Sequence, residues 1–182
     1  MNITRLELDG LLLIELDVHG DERGFFIERF NLEQFRTAGL PTHFVQDNHS
    51  RSRPGVVRGL HYQHTPAQGK LVGVTRGRIF DVVLDIRSDS PTCGQTQSGE
   101  LSDMSGRLLW VPAGFAHGFC VLGDTPADLL YKVDAPYNHD GEGGILWSDP
   151  ELAIAWPVQD PIVSARDQTM PTFAEHRRAR SG

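Results

Sequence analysis

The stretch from Gly55 to Lys70, G-V-V-R-G-L-H-Y-Q-H-T-P-A-Q-G-K, gathers Arg58, His61 and Lys70. An imidazole titrates near neutral pH and beside an ammonium it suits removal of a proton next to a carbonyl: the ring takes the proton and the cation holds the enolate oxygen. The same residue types also suit an ordinary polar surface strand. Val56-Val57, Leu60 and Tyr62 have the β-branched and aromatic content of a strand, and Thr65-Pro66 marks a turn before a second strand begins at Lys70. Regular alternation points Arg58 and His61 to opposite faces. Gly59 between them can host a bulge that re-aims one of the two.

Other chemistry-bearing residues are scattered. His117 closes V-P-A-G-F-A-H, whose P-x-G-x-x-H pattern resembles the second half of the cupin signature. In metal-binding cupins that histidine joins an H-x-H and a glutamate on an earlier hairpin. Here that position reads His61-Tyr62-Gln63-His64, with no H-x-H, and zinc or iron needs three or four well-placed ligands, so no metal site is expected. Tyr131 in D-L-L-Y-K-V shares a face with Leu129 and Val133, the pattern of a core tyrosine with a bonded hydroxyl. Tyr137 and Glu142 follow Pro136 in a loop. Asp81 and Asp85 alternate with Ile79 and Val83, which fits either a lined cavity or a solvated sheet face. Gln46, Asp47 and Asn48 read as a loop. Arg166 and Asp167 are adjacent, as a simple surface ion pair would be.

These residues sit in a chain of short strands and turns at the spacing of an all-β sandwich or barrel, with no internal repeat. Leu11 to Leu16 and Phe25 to Phe30 read as strands around the turn Asp21-Glu22-Arg23-Gly24. Asn31 to Ala38 is the convincing early helix, with Asn31 as N-cap, Gln34 three residues on and Gly39 as its stop. Leu71 to Thr75 and Ile79 to Arg87 read as a hairpin around Arg76-Gly77-Arg78. In the second of these, Phe80, Val82, Leu84 and Ile86 form the core face. After Asp167 a proline-broken basic tail is expected, over about residues 168–182.

At 182 residues the chain is one domain's worth, 1–182. With 24 acidic against 17 basic residues its formal net charge is -7, which argues against nucleic acid or an anionic membrane as partner. An anionic ligand would need locally gathered cations. Acids come too early for a signal peptide, and Glu15 stops the run from Leu11 far short of a membrane span, so a cytoplasmic protein is expected. Cys93 and Cys120 lack metal-ligand spacing and read as buried free thiols.

In order, D-E-R-G-F-F-I-E, F-V-Q-D-N-H-S, V-V-R-G-L-H-Y-Q, Q-G-K-L-V, G-R-I-F-D-V-V-L-D-I-R, S-P-T, V-P-A-G-F-A-H-G-F, Y-K-V and S-A-R-D closely resemble the dTDP-4-dehydrorhamnose 3,5-epimerase family, from the first turn to Asp167. The resemblance implies a cupin-type jelly-roll β-barrel with a few short helices, a homodimer, no metal or organic cofactor, and a dTDP-4-keto-6-deoxyhexose substrate. It implies His61 as general base with Asp167 as its partner, Lys70 at the C4 oxygen oriented by Asp81, and Tyr131 as the acid on the opposite face. It further implies Arg23, Arg58 and Arg166 on the diphosphate and Tyr137 stacked on thymine. Glu28, Gln46, Asp47, Asn48, His117 and Glu142 would line the cleft. Arg166 stands where the family commonly has lysine, and Ala135-Pro136 replaces polar or aromatic residues before Tyr137. Relatives that invert only C3 or only C5 share these motifs. A metal-dependent cupin oxygenase or isomerase, and an idle sugar-binding cupin, are the readings from other classes; intact His61 and Tyr131 argue against the idle binder.

Overall fold

The computed structural model describes residues 1–180. The chain opens with β1 (Asn2–Arg5), β2 (Leu12–Glu15), β3 (Val18–Asp21) and β4 (Gly24–Ile27), then α1 (Leu32–Thr37). Next come β5 (Gln46–Ser52), β6 (Val57–Gln63), β7 (Lys70–Arg76) and β8 (Arg78–Asp85). After these run β9 (Thr96–Ser102), β10 (Arg107–Val111), β11 (Phe115–Leu122), β12 (Ala127–Val133) and β13 (Glu142–Gly144). The described chain ends in α2 (Phe173–Arg180).

Two antiparallel sheets face each other, in the jelly-roll arrangement that the resemblance implies. One has the order β1-β2-β10-β7-β12-β5, the other β13-β6-β11-β8-β9. Strand alternation decides what lies between them. Leu13, Val72, Val74, Leu109 and Leu129 point inward from the first sheet and meet Ile79, Val83, Phe115 and Phe119 of the second.

Both sheets are also covered outside. Ile14, Leu71, Leu108 and Trp110 pack under Phe35 of α1. Leu60, Val82, Leu84 and Ile86 pack under Ile145 and Phe173 of α2. The face expected to be core therefore lies outside the barrel, under the C-terminal segments, while Ile79, Asp81 and Val83 point into it. The solvated-sheet alternative for the aspartates does not hold, since Asp81 and Asp85 are both buried. Asp85 accepts from Arg87, Ser90 and Thr92. Burial alone would raise its pKa, but these bonds bring it down to about 2.

α1 forms as its caps dictate. Asn31 accepts from the Glu33 and Gln34 amides, and Gly39, at φ 70°, ends the helix with its own amide on Arg36 O and Leu40 N on Phe35 O. The Gln34 side chain bonds Glu28 instead of the cap.

Four sequence expectations need correction. β7 and β8 do not pair: they belong to different sheets, and the turn at Gly77 carries the chain across the barrel. A side chain at Gly77, φ 75°, would meet Pro126 O at 2.7 Å, so only glycine turns there without disturbing the packing. The second early strand stops at Ile27, short of Phe30. Gln46 to Asn48 begin strand β5, because β12 offers a full edge to pair with. The expected tail folds as α2, buries Phe173 and His176, and is started by a capping box in which Thr172 and Glu175 exchange bonds. Ser181 and Gly182, the end of that expected tail, lie outside the described residues. Cys120 is a buried free thiol, raised to about 11 by burial, while Cys93 is a half-buried one.

Candidate functional site

Between the sheets, at one end of the barrel, opens a cleft of about 380 Å³. Strand register explains who lines it. Across the first sheet, Gln46, Val133 and Lys70 form one row, Asn48, Tyr131 and Val72 the next, and Ser50, Leu129 and Val74 the third. The inward side chains of these rows make one wall. The facing wall comes from β6 and β11, with Arg58, His61, His117 and Phe119.

The bulge at Gly59 is what brings Arg58 and His61 together. His61 pairs with His117 and Arg58 with Phe119, so three steps on β6 match two on β11. Gly59 has φ 121°, and a Cβ there would lie 2.5 Å from Gly118 Cα. The two backbones can touch at this point only without side chains.

His61 Nε2 lies 2.7 Å from Asp167 Oδ1, and the other oxygen of Asp167 accepts from the Gly59 amide at 3.2 Å. Burial would raise the Asp167 carboxyl, but the His61 bond and charge, with the Gly59 and Ser164 bonds, hold it below its ordinary value. An ionised carboxylate only accepts, so Nε2 carries the hydrogen of the neutral ring and Nδ1 carries the lone pair. The bulge that aims the imidazole thus also supplies the amide that fixes its partner.

The Lys70 ammonium donates to the His61 carbonyl at 3.2 Å. Burial brings its pKa down from 10.5 to about 8, with the charges of Glu142 and Asp81 acting the other way. Tyr131 stands on the wall opposite His61, and burial raises its phenol further above the ordinary value than the Arg58 charge lowers it. The site therefore places an imidazole and a protonated phenol on facing walls of one space that the partly buried Lys70 also lines.

At the mouth, Glu142 accepts from the Tyr137 hydroxyl at 3.1 Å and pairs with Arg166 at 2.8 Å. Gln46 accepts from the Tyr137 amide, and the Tyr137 ring is 54% exposed. Arg58 is held by Ser52 Oγ at 2.9 Å.

Four expected positions fall elsewhere. Arg23 sits at the tip of the β3–β4 hairpin, paired with Asp21. Glu28 bonds Asn31 and Gln34 at the start of α1. Asp47 alternates to the outer face of β5, where it pairs with Lys132. Asp81 bonds His117 at 2.7 Å and makes no hydrogen bond to Lys70, which it reaches only through its charge. Sequence reasoning missed Ser50, Gln68, Phe119 and Leu129 as lining residues. Once Asn48 is placed on a strand, Ser50 follows two positions on; Gln68 opens the quoted Q-G-K-L-V segment, where only Lys70 was singled out. Among the described residues, no group of three or more His, Cys, Asp and Glu could hold a metal ion, and no helix is long and apolar enough to cross a membrane.

Comparison with known proteins gives a family. A family model described as dTDP-4-dehydrorhamnose 3,5-epimerase matches residues 5–175. A dTDP-4-dehydrorhamnose 3,5-epimerase of Shigella flexneri is 52% identical over 177 residues, spanning 96% of this chain and 97% of its own. One from Pseudomonas aeruginosa is 50% identical with the same coverage. A crystal structure of dTDP-6-deoxy-D-glucose-3,5-epimerase from Legionella pneumophila, in complex with dTDP-4-keto-L-rhamnose, is 45% identical at a TM-score of 0.90, covering 96% of each chain.

Proposed function

The chain belongs to the dTDP-4-dehydrorhamnose 3,5-epimerase family, and from that membership we propose that its cleft inverts C3 and C5 of a dTDP-4-keto-6-deoxyhexose. The observation that carries the reading is the opposed pair: His61, backed by Asp167, faces Tyr131 across one cleft that also holds the Lys70 ammonium. His61 Nδ1 takes the proton α to the C4 ketone, Lys70 stabilises the enolate oxygen, and Tyr131 protonates the opposite face of the planar carbon. Base and acid on opposite sides make the outcome inversion. The same cycle then runs at the second carbon.

Arg58 and Arg166 hold the diphosphate, and Tyr137, exposed at the mouth, stacks on thymine. Gln46, Asn48, His117 and Glu142 complete the lining. Because the enolate oxygen has Lys70 as its electrophile, the reaction needs no metal or organic cofactor. The protein works as a homodimer in the cytoplasm, the whole chain serving as one epimerase domain. Support for the dimer comes from the β3–β4 hairpin, where Phe25 is 54% and Phe26 68% exposed next to Arg23. A second subunit covering these rings would let Arg23 reach the neighbouring site.

Incubation with dTDP-4-keto-6-deoxyglucose in deuterated water tests the reading. Deuterium at both C3 and C5, unaffected by chelator, is expected. Label at one carbon alone would mark a single-carbon epimerase, and loss of turnover with chelator would reject metal-free catalysis.

A further inference from the structure

Glu142 lies on β13 two residues before Gly144, the cross-strand partner of His61, so its side chain shares the face of the imidazole. Both residues line the cleft with Lys70 and Tyr131. Glu142 Oε2 accepts from the Tyr137 hydroxyl at 3.1 Å and pairs with Arg166 Nη2 at 2.8 Å. One oxygen thus takes both bonds. Its two donors are the residues assigned above to thymine and to the diphosphate. The Arg166 side chain is 51% exposed, against 17% for that of Glu142, so the guanidinium can turn to a ligand while the carboxylate stays in the cleft.

The carboxylate also acts on the catalytic groups through its charge. Burial would raise its pKa, but the Arg166 and Tyr137 bonds, with the charges of Arg166 and His61, hold it below the ordinary value. It is therefore ionised at neutral pH. Burial lowers Lys70 to about 8, and of the two charges that act the other way Glu142 is the stronger and Asp81 the weaker. Tyr131 is raised by burial, lowered by Arg58 and raised again by Glu142. While Arg166 is paired to Glu142, the guanidinium offsets much of this negative charge. A sugar that fills the cleft strips water from Lys70 at the moment its charge is needed.

We infer that Glu142 couples nucleotide binding to the charge of Lys70: the diphosphate takes Arg166, thymine takes Tyr137, and the uncovered carboxylate keeps the neighbouring ammonium charged for the enolate. The inference rests on the nucleotide contacts proposed above for Arg166 and Tyr137. Glu142 is thereby a positioning residue that acts through Lys70. No bond to carbon changes in this step; a Lys70 that was neutral takes one proton from water. Such coupling is reciprocal, so a proton on Lys70 tightens nucleotide binding by the factor by which the nucleotide tightens the proton.

The probe is dTDP, which engages both donors without a sugar to dry Lys70. Its terminal phosphate, with a second pKa of about 6, is already ionised above pH 7.5. In titration calorimetry between pH 7.5 and pH 9.5 the parent affinity should weaken by about tenfold, equivalent to about one pH unit in the Lys70 titration. Glu142→Gln should lose most of that slope, and Glu142→Asp, which keeps the charge, should restore part of it. Arg166→Ala should bind about ten- to a hundredfold more weakly throughout and show as little slope as Glu142→Gln, because its carboxylate is already uncovered. A purely structural or ligand-contact role for Glu142 would change affinity equally at every pH. A flat parent, a Glu142→Gln slope as steep as the parent's, or a slope that survives Lys70→Met would overturn the coupling. Parental affinity in Arg166→Ala at pH 7.5 would instead sink the diphosphate contact on which the inference rests.

Discussion

Replacing Lys70 with methionine should make the protein more stable and nearly inactive. The fall of the Lys70 pKa from 10.5 to about 8 corresponds to roughly 3 kcal/mol paid to keep its charge in the folded state at neutral pH. Methionine removes that penalty while keeping the length of the side chain. It also removes the bond to the His61 carbonyl, worth about 1 kcal/mol. The net gain at pH 7 is then about 2 kcal/mol, or about 4–8 °C in Tm for a chain of this size. The sign follows from proton binding: between pH 8 and 10.5 the unfolded chain holds the lysine proton and the folded chain has lost it. Parent stability from this group therefore rises with pH across that window, and the advantage of Lys70→Met shrinks across it. Calorimetry at pH 7 and pH 10 reads both effects. On the catalytic side, loss of an enolate-stabilising donor should lower kcat by about 100- to 1,000-fold. A variant less stable than the parent at pH 7, or one that keeps parental turnover, would refute this account of Lys70.

Three further outcomes are expected. The parent kcat/KM should fall as pH rises through about 8, where the free enzyme loses the Lys70 charge, and a flat profile to pH 10 would remove that cation from catalysis. Arg58→Ala should weaken dTDP binding by about ten- to a hundredfold in titration calorimetry, the size of one charge-assisted contact; unchanged affinity would move the diphosphate elsewhere. Phe173→Ala should cost about 3–5 kcal/mol in denaturant unfolding by emptying the contact between α2 and β8, and a loss below 1 kcal/mol would mean α2 adds little to the fold.

How far the sequence could be read depended on whether local residues carried the reason. Asn31 and Gly39 announce α1 because capping is local chemistry. Gly59 was partly legible: the odd spacing of Arg58 and His61 allowed a bulge at the glycine between them, while the approach of Gly118 that only a glycine tolerates there shows in the fold alone. Where partners are distant the reading failed. Gln46-Asp47-Asn48 has loop composition and becomes a strand only because β12 pairs with it. Arg76-Gly77-Arg78 has the length of a hairpin turn, yet nothing local says that β7 and β8 enter different sheets. The burial of both faces of β8 needs the C-terminal segments, whose own helix was signalled by Thr172 and Glu175 and hidden by Pro171. In the site, alternation that placed Asn48 inward also sends Asp47 outward to Lys132, which motif matching alone does not reveal.

The opposed acid and base are tested most directly by solvent exchange into recovered substrate. Tyr131→Phe and His61→Ala are each incubated with dTDP-4-keto-6-deoxyglucose in deuterated water, and the sugar is examined by NMR. Tyr131→Phe keeps the base and should wash deuterium into the unreacted sugar while forming little inverted product; His61→Ala should show no exchange, because no enolate forms. Exchange by His61→Ala within a few-fold of the parent would contradict the assignment of His61 as the base.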